Sequence, residues 1–226
     1  MKRLDGIRAC VFDAYGTIFN FTSAAAKCRD DLGDKAGPLA TLWRDKQLQY
    51  TWLRTLMGRH ADFWQVTTDG LDFALETLGL NDPNLRNRLM QCYMTLDCFP
   101  EVPELLKRLR AAGLKTAILS NGTPNMLAAA VSAAGLGAHL DAVISVEEVG
   151  VYKVHPKVYQ RAVDRLGVKP AEISFQSSNA WDAHAASAFG FKVVWCNRYG
   201  QRVERLPGSP NFEVKSLAEL PALLGL

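Results

Sequence analysis

The chain has 226 residues, a formal charge of +3, 48% hydrophobic residues and 22% charged residues, the profile of one core domain plus a modest insertion in an ordinary globular protein. No block of Lys and Arg stands out, which argues against nucleic acid as a partner. No apolar stretch approaches the ~20 residues of a membrane span, and the N-terminus, MKRLDGIRACVFDAYG, lacks the apolar run of a signal peptide.

The first predicted strand, residues 8–13, is an apolar run that ends in Asp13, and a tight D-x-x-G-T turn carries the chain to Thr17. Residues 21–94 offer no convincing strand. Stretches such as "GPLATLWRDKQLQYTWLRTLM" and "DGLDFALETLGL" have helical spacing instead. That is far more helix than the dozen or so residues a single crossover needs. The segment 21–94 therefore reads as a helical cap subdomain inserted into a core built from 1–20 and 95–226. An insertion at that point lies over the C-terminal ends of the strands, where open α/β sheets place their ligands.

After residue 100 the chain alternates. A helix is predicted at 102–112, a strand at 115–120, a helix at 124–134, a strand at 142–145, a helix at 156–166, a strand at 173–176, a helix at 180–189 and a strand at 192–196. A last helix opens at "SLAE", where Ser216 and Glu219 form a capping box. Short, continuous apolar strands are those of a parallel sheet buried on both faces. The fold class is α/β, a Rossmann-like doubly wound parallel sheet core with an inserted helical cap.

The five cysteines, Cys10, Cys28, Cys92, Cys98 and Cys196, are scattered and odd in number, with no CxxC and no zinc spacing. They read as reduced thiols of a cytoplasmic protein. The chemistry-bearing residues sit elsewhere, at strand ends. The first strand ends at Asp13, and the second at Ser120 and Asn121 in "LSNG". Lys153 follows the third in "GVYKVHP", and the fourth ends in "QSSNAWDAH" with Ser177, Ser178, Asn179 and Asp182. In a parallel sheet these ends converge on one edge. Each residue alone has a structural reading as a turn former, a helix cap, a solvated lysine or a helical salt-bridge partner. Four such ends in this order are much harder to explain as loops.

These motifs resemble the haloacid dehalogenase superfamily, and within it the L-2-haloacid dehalogenase branch. "FDAYGT", "LSNG", "YK" with "HPKVY", and "SSNAWDA" resemble the superfamily's four motifs in order. "RDKQLQYTWLRTLMGRHADFW" is similar to the branch's helical cap, and "FGFKVVWCNR" to its usual continuation.

The superfamily's phosphatases have a second aspartate two residues after the first, and here that place is held by Tyr15. That second acid protonates a leaving alkoxide, a strong base that departs poorly without a proton. A halide leaves unprotonated, so dehalogenation tolerates Tyr15 where phosphoryl transfer does not. The fourth motif points the same way. Phosphatases carry an acidic pair there for Mg²⁺, which wants carboxylate oxygens, whereas Ser178 stands in one of those places. The expectation is a hydrolase of small 2-haloacids without metal or other cofactor, releasing a 2-hydroxy acid with inversion. Asp13 attacks C2 and forms an ester, which water then hydrolyses.

Asp182, with Asn179 and Lys153, is expected to place or activate that water. Thr17, Ser120 and Lys153 are expected to hold the substrate carboxylate or orient Asp13, with Ser177 beside them among the catalytic residues. By resemblance Arg44, Asn121 and Trp181 cradle the halide, since guanidinium, amide and indole all donate N–H bonds to an anion. Tyr15, Phe63 and Tyr159 are expected on the apolar side of the pocket. The resemblance also implies a homodimer. Two positions depart from it: Val154 follows Lys153 where many relatives carry proline, and Asn20 stands where many carry an acid. The alternatives are a Mg²⁺-dependent small-molecule phosphatase and a binding protein with a vestigial site.

Overall fold

A computed structural model describes residues 3–226. In chain order the elements are β1 (Ala9–Phe12), β2 (Phe19–Asn20), α1 (Ser23–Lys27), α2 (Arg29–Leu32), α3 (Ala36–Leu56), α4 (Phe63–Thr77), α5 (Pro83–Met94) and β3 (Asp97–Cys98). They continue with α6 (Val102–Ala111), β4 (Lys115–Ser120), α7 (Pro124–Ala133), β5 (Ala142–Ser145), α8 (Pro156–Leu166), β6 (Ile173–Ser177) and α9 (Ala180–Phe189). β7 (Lys192–Cys196), β8 (Phe212–Val214) and α10 (Leu220–Leu224) complete the chain.

Six strands form one sheet in the order β5-β4-β1-β6-β7-β8, and every neighbouring pair is parallel. All four residues of β1 are buried, as the continuous apolar run predicts for a central strand covered on both faces. From β1 the chain builds outward to β4 and β5, then returns to the other side of β1 for β6, β7 and β8. The strand order thus reverses at β1, and that reversal opens a crevice at the C-terminal strand ends.

The helices over these ends all come from residues 23–94. α3 and α4 pack along each other, and the Trp43 indole donates to the Thr67 carbonyl across the seam, 2.8 Å. Asp62 caps α4 by accepting from the Gln65 amide, and Asp82 with Pro83 opens α5. β2 and β3 pair antiparallel, Phe19 with Cys98 and Asn20 with Asp97, so the outgoing and returning chain are stitched together. Neither two-residue strand was predicted, and neither was β8. The capping box of Ser216 and Glu219 forms as expected, on a short turn that leads into α10.

Candidate active site

The crevice at the reversal point is built around Asp13, one residue beyond β1. Its amide donates to the Gln176 carbonyl of β6 at 2.9 Å, which prolongs the sheet pairing and fixes the backbone. The carboxylate is 5% exposed and collects donors on both oxygens. Oδ1 accepts from Lys153 Nζ at 2.9 Å. Oδ2 accepts from Asn179 Nδ2 at 2.7 Å, Thr17 Oγ1 at 3.0 Å and Ser177 Oγ at 3.4 Å.

The turn after Asp13 depends on a glycine. Gly16 has φ of +92°, and a Cβ there would lie 3.0 Å from Ser178 Oγ. The turn therefore closes directly on Ser178, whose amide donates to Thr17 Oγ1 at 2.8 Å and whose hydroxyl oxygen lies 3.2 Å from it. Ser178 thus completes a hydroxyl lock on Thr17. From behind, Arg198 donates to the Thr17 carbonyl at 3.0 Å and pairs with Glu101 at 2.6 Å.

Lys153 bridges two carboxylates. Its ammonium lies 2.9 Å from Asp13 and 2.8 Å from Asp182, with a 1% exposed side chain. Asn121 holds the lysine's backbone, accepting from the Lys153 amide at 3.1 Å. The peptide from Lys153 to Val154 is cis. Burial alone would push the Lys153 ammonium down, but the two carboxylates overcome it and hold the group above its ordinary value. Asp182, in the first turn of α9, is fully buried. Burial pushes its carboxyl up, and Lys153 opposes that push. Tyr159 does more than line a pocket wall: its hydroxyl donates to Asp182 Oδ1 at 2.8 Å. Burial and the neighbouring carboxylate hold that phenol well above its ordinary value, so it stays a donor.

The roof comes from α3 to α5. Arg44 reaches down from α3 to donate to Asn179 Oδ1 at 3.2 Å, so one asparagine touches both Asp13 and the roof arginine. The guanidinium also lies 5.1 Å from the centre of the Phe21 ring. Tyr15 stacks between Phe63 at 5.6 Å and Tyr93 at 5.5 Å. Its hydroxyl is buried and has no hydrogen-bond partner among the described residues. Trp181 stands edge-on to Trp52 of α3 at 5.5 Å. A cleft of about 360 Å³ opens beside Arg44, lined by Arg44, Asp45, Ser178, Asn179, Trp181 and Glu204 among others; Asp13, Lys153 and Asp182 do not line it.

One predicted residue faces elsewhere. Ser120, at the end of β4, uses its hydroxyl to accept from the Gly122 amide at 3.1 Å and makes no hydrogen bond to Asp13. Asn20, where many relatives carry an acid, accepts through its side chain from the Thr22 amide at 3.1 Å and closes the turn before α1. Three residues that pattern reading passed over belong to the surroundings: Gln47, Tyr93 and Arg198. The cysteines stay outside the site, and burial pushes the Cys10 thiol up to about 12, which leaves it inert.

This donor set suits an attacking carboxylate. It suits Mg²⁺ poorly, because an ammonium already stands between the two carboxylates and the other neighbours of Asp13 are hydroxyls and an amide. Comparison with known proteins agrees with the motif reading. The family model described as haloacid dehalogenase-like hydrolase matches residues 7–190. The (S)-2-haloacid dehalogenase 1 of Pseudomonas sp. (strain CBS-3) is 50% identical over 98% of both chains. The (S)-2-haloacid dehalogenase 4A of Burkholderia cepacia is 47% identical over 98% of this chain and 96% of its own. Among solved structures, the L-2-haloacid dehalogenase from Xanthobacter autotrophicus with chloropropionic acid covalently bound superposes with a TM-score of 0.91. It is 40% identical and covers 97% of this chain and 98% of its own.

Proposed function

The chain belongs to the haloacid dehalogenase-like hydrolases, and from its site we propose that it hydrolyses short L-2-haloalkanoic acids to 2-hydroxy acids with inversion, without a metal. The observation that carries this reading is the buried Asp13–Lys153–Asp182 array, with Tyr15 where a phosphatase needs its acid. An Asp13 oxygen attacks C2 in line with the carbon–halogen bond. The C2–O bond forms, and halide leaves with the bonding electrons. Arg44, Asn121 and Trp181 receive it as N–H donors.

Water then attacks the ester carbonyl of Asp13 and gives its proton to Asp182, whose raised carboxyl makes it a better base than an exposed aspartate. Thr17, Ser177 and Asn179, which already hold Oδ2, are placed to bear the oxyanion of that step. The bond between the acyl carbon and the C2 oxygen breaks, Asp182 gives the proton to that leaving oxygen, the 2-hydroxy acid leaves, and Asp13 keeps one oxygen from water and loses the second water proton to solvent. Tyr15 and Phe63 form the apolar wall of the pocket, and Tyr159 orients Asp182. Ser120 contributes through the Gly122 turn. Residues 21–94 act as the cap. The exposed Leu56 at the end of α3 and Met57 after it support a homodimer, and the free cysteines support a cytoplasmic setting.

The test is halide release from L- and D-2-chloropropionate and from chloroacetate, in EDTA, by the wild type and Asp13→Asn. Release from the L-isomer but not the D-isomer, lost in the variant, is the expected result. Absence of release from all three acids would sink the reading, as would release that persists in Asp13→Asn.

A further inference from the structure

The roof arginine is aimed by a residue that itself touches nothing on the floor. Gln47 lies one helical turn after Arg44 on α3 and is 1% exposed. Its Oε1 accepts from Arg44 Nη1 at 2.8 Å. Its Nε2 donates to Thr67 Oγ1 at 2.7 Å, and Thr67 in turn donates to the Phe63 carbonyl at 2.6 Å. Tyr93 of α5 closes the set: its hydroxyl accepts from Nε2 at 3.1 Å and donates to Oε1 at 3.2 Å. A guanidinium can only donate, and the Thr67 hydrogen is committed to a carbonyl. The amide therefore has a single consistent orientation, oxygen towards Arg44. The helices also meet closely at this residue: a Cβ on Gly70 of α4 would lie 3.2 Å from the Gln47 backbone nitrogen and 3.4 Å from the Trp43 backbone carbonyl.

The acceptor is neutral, and that is the point. A carboxylate in its place would hold Arg44 as well and would cancel its charge. A buried amide holds the guanidinium through one N–H and leaves its charge to whatever enters the cleft. Its other hydrogen-bond acceptor, Asn179 Oδ1, and the Phe21 ring it lies over are equally neutral.

We propose that Gln47 is a positioning residue that aims Arg44 at the departing halide while leaving the guanidinium charge uncompensated. This rests on the dehalogenase reading of the site. A poorer leaving group leans harder on that charge, so the consequence is selective among halogens.

The experiment compares wild type, Gln47→Glu and Gln47→Met on L-2-chloropropionate and L-2-bromopropionate, with bromide binding followed by NMR line broadening. Gln47→Glu is expected to lose roughly a hundredfold in kcat/KM on the chloro acid and roughly tenfold on the bromo acid. Both variants are expected to bind bromide at least about tenfold more weakly than wild type. Gln47→Met keeps the side-chain shape and carries the test should the carboxylate unfold the helix pair. Equal losses on the two acids overturn the proposal, because a merely loosened roof would not distinguish halogens. Bromide binding that is absent from the wild type, or unchanged in both variants, overturns it as well. If the wild type releases no halide, the dehalogenase reading fails separately, and the bromide titration still decides for or against Gln47.

Discussion

The floor and the roof of the crevice solve the same problem, holding polar groups away from water, by opposite means. The floor uses charge: two carboxylates share one ammonium, and all three side chains are no more than 7% exposed. The roof uses neutral hydrogen bonds, in which one glutamine amide satisfies Arg44, Thr67 and Tyr93. Charge in a low-dielectric setting interacts strongly but is costly to leave unpaired, whereas a neutral network can be edited at smaller cost. In the proposed reaction the floor carries bond making and breaking, which needs strong fields. In the proposal for Gln47 the roof carries aim and selectivity, which needs a charge that is positioned without being quenched.

The largest expected break in this comparison is Lys153→Met. It leaves Asp13 and Asp182 buried without their cation, and removing one partner of a buried ion pair costs about 3–5 kcal/mol. Urea denaturation should show that loss, and halide release should fall below detection. Adding Asp182→Asn should return much of the stability, because only one charge then lacks a partner, and should return none of the activity. A double variant no more stable than Lys153→Met would mean that the ammonium is not what holds this array together.

A smaller and more specific break is Asp182→Asn alone. Ester formation needs Asp13, and ester hydrolysis needs the base. The variant should therefore release about one halide per site and stall, with the acyl ester on Asp13 visible by mass spectrometry and turnover reduced by about 10²–10⁴. In the wild type the same group should set the acid side of the pH profile. Its base form is lost as pH falls through its pKa, which burial raises. The fall in kcat should therefore begin above the range of an exposed aspartate, near ~3.9. Lys153 is held above its ordinary value by the two carboxylates, so the ammonium persists past the range of an exposed lysine. An acid limb at or below ~3.9 would remove Asp182 from the role of base.

What could be read from the sequence follows the same division. The floor was legible because most of its groups end an apolar strand or open the next helix: Asp13 after "ACVF", Ser177 ending "ISFQS", Asp182 within "AWDAH", with Lys153 in the loop after the third of the predicted polar strand ends. Strand ends in a parallel sheet converge by topology, so four polar ends in order imply one site. The roof was less legible. Gln47 stands in "RDKQLQ", which reads as a solvated helix face, and the approach of α4 at Gly70 and of Tyr93 from α5 buries it. No local pattern encodes that approach. Tyr159 was expected in the pocket, but its bond to Asp182 joins α8 to α9 and depends on how those helices pack. β8 was missed because it is three residues long, follows a polar loop, and takes its identity from pairing with β7.

The smallest expected effect lies on the same helix pair as Gln47, at its exposed margin. Arg54 of α3 and Asp69 of α4 pair at 2.9 Å with side chains about a third exposed, 33% and 30%. Asp69 also accepts from Gln65 at 2.7 Å. Solvent and salt screen such a pair, and exposed pairs contribute only about 0.2–1 kcal/mol. Asp69→Asn should therefore shift the denaturation midpoint slightly, more at low salt than at high, and leave the ratio of chloro- to bromopropionate turnover unchanged. Gln47 and Asp69 join the same two helices, so the two variants separate helix cohesion from control of Arg44. If Asp69→Asn changed the halogen ratio as Gln47→Glu is expected to, the roof would act through the overall fit of α3 against α4, and the amide network would not be its working part.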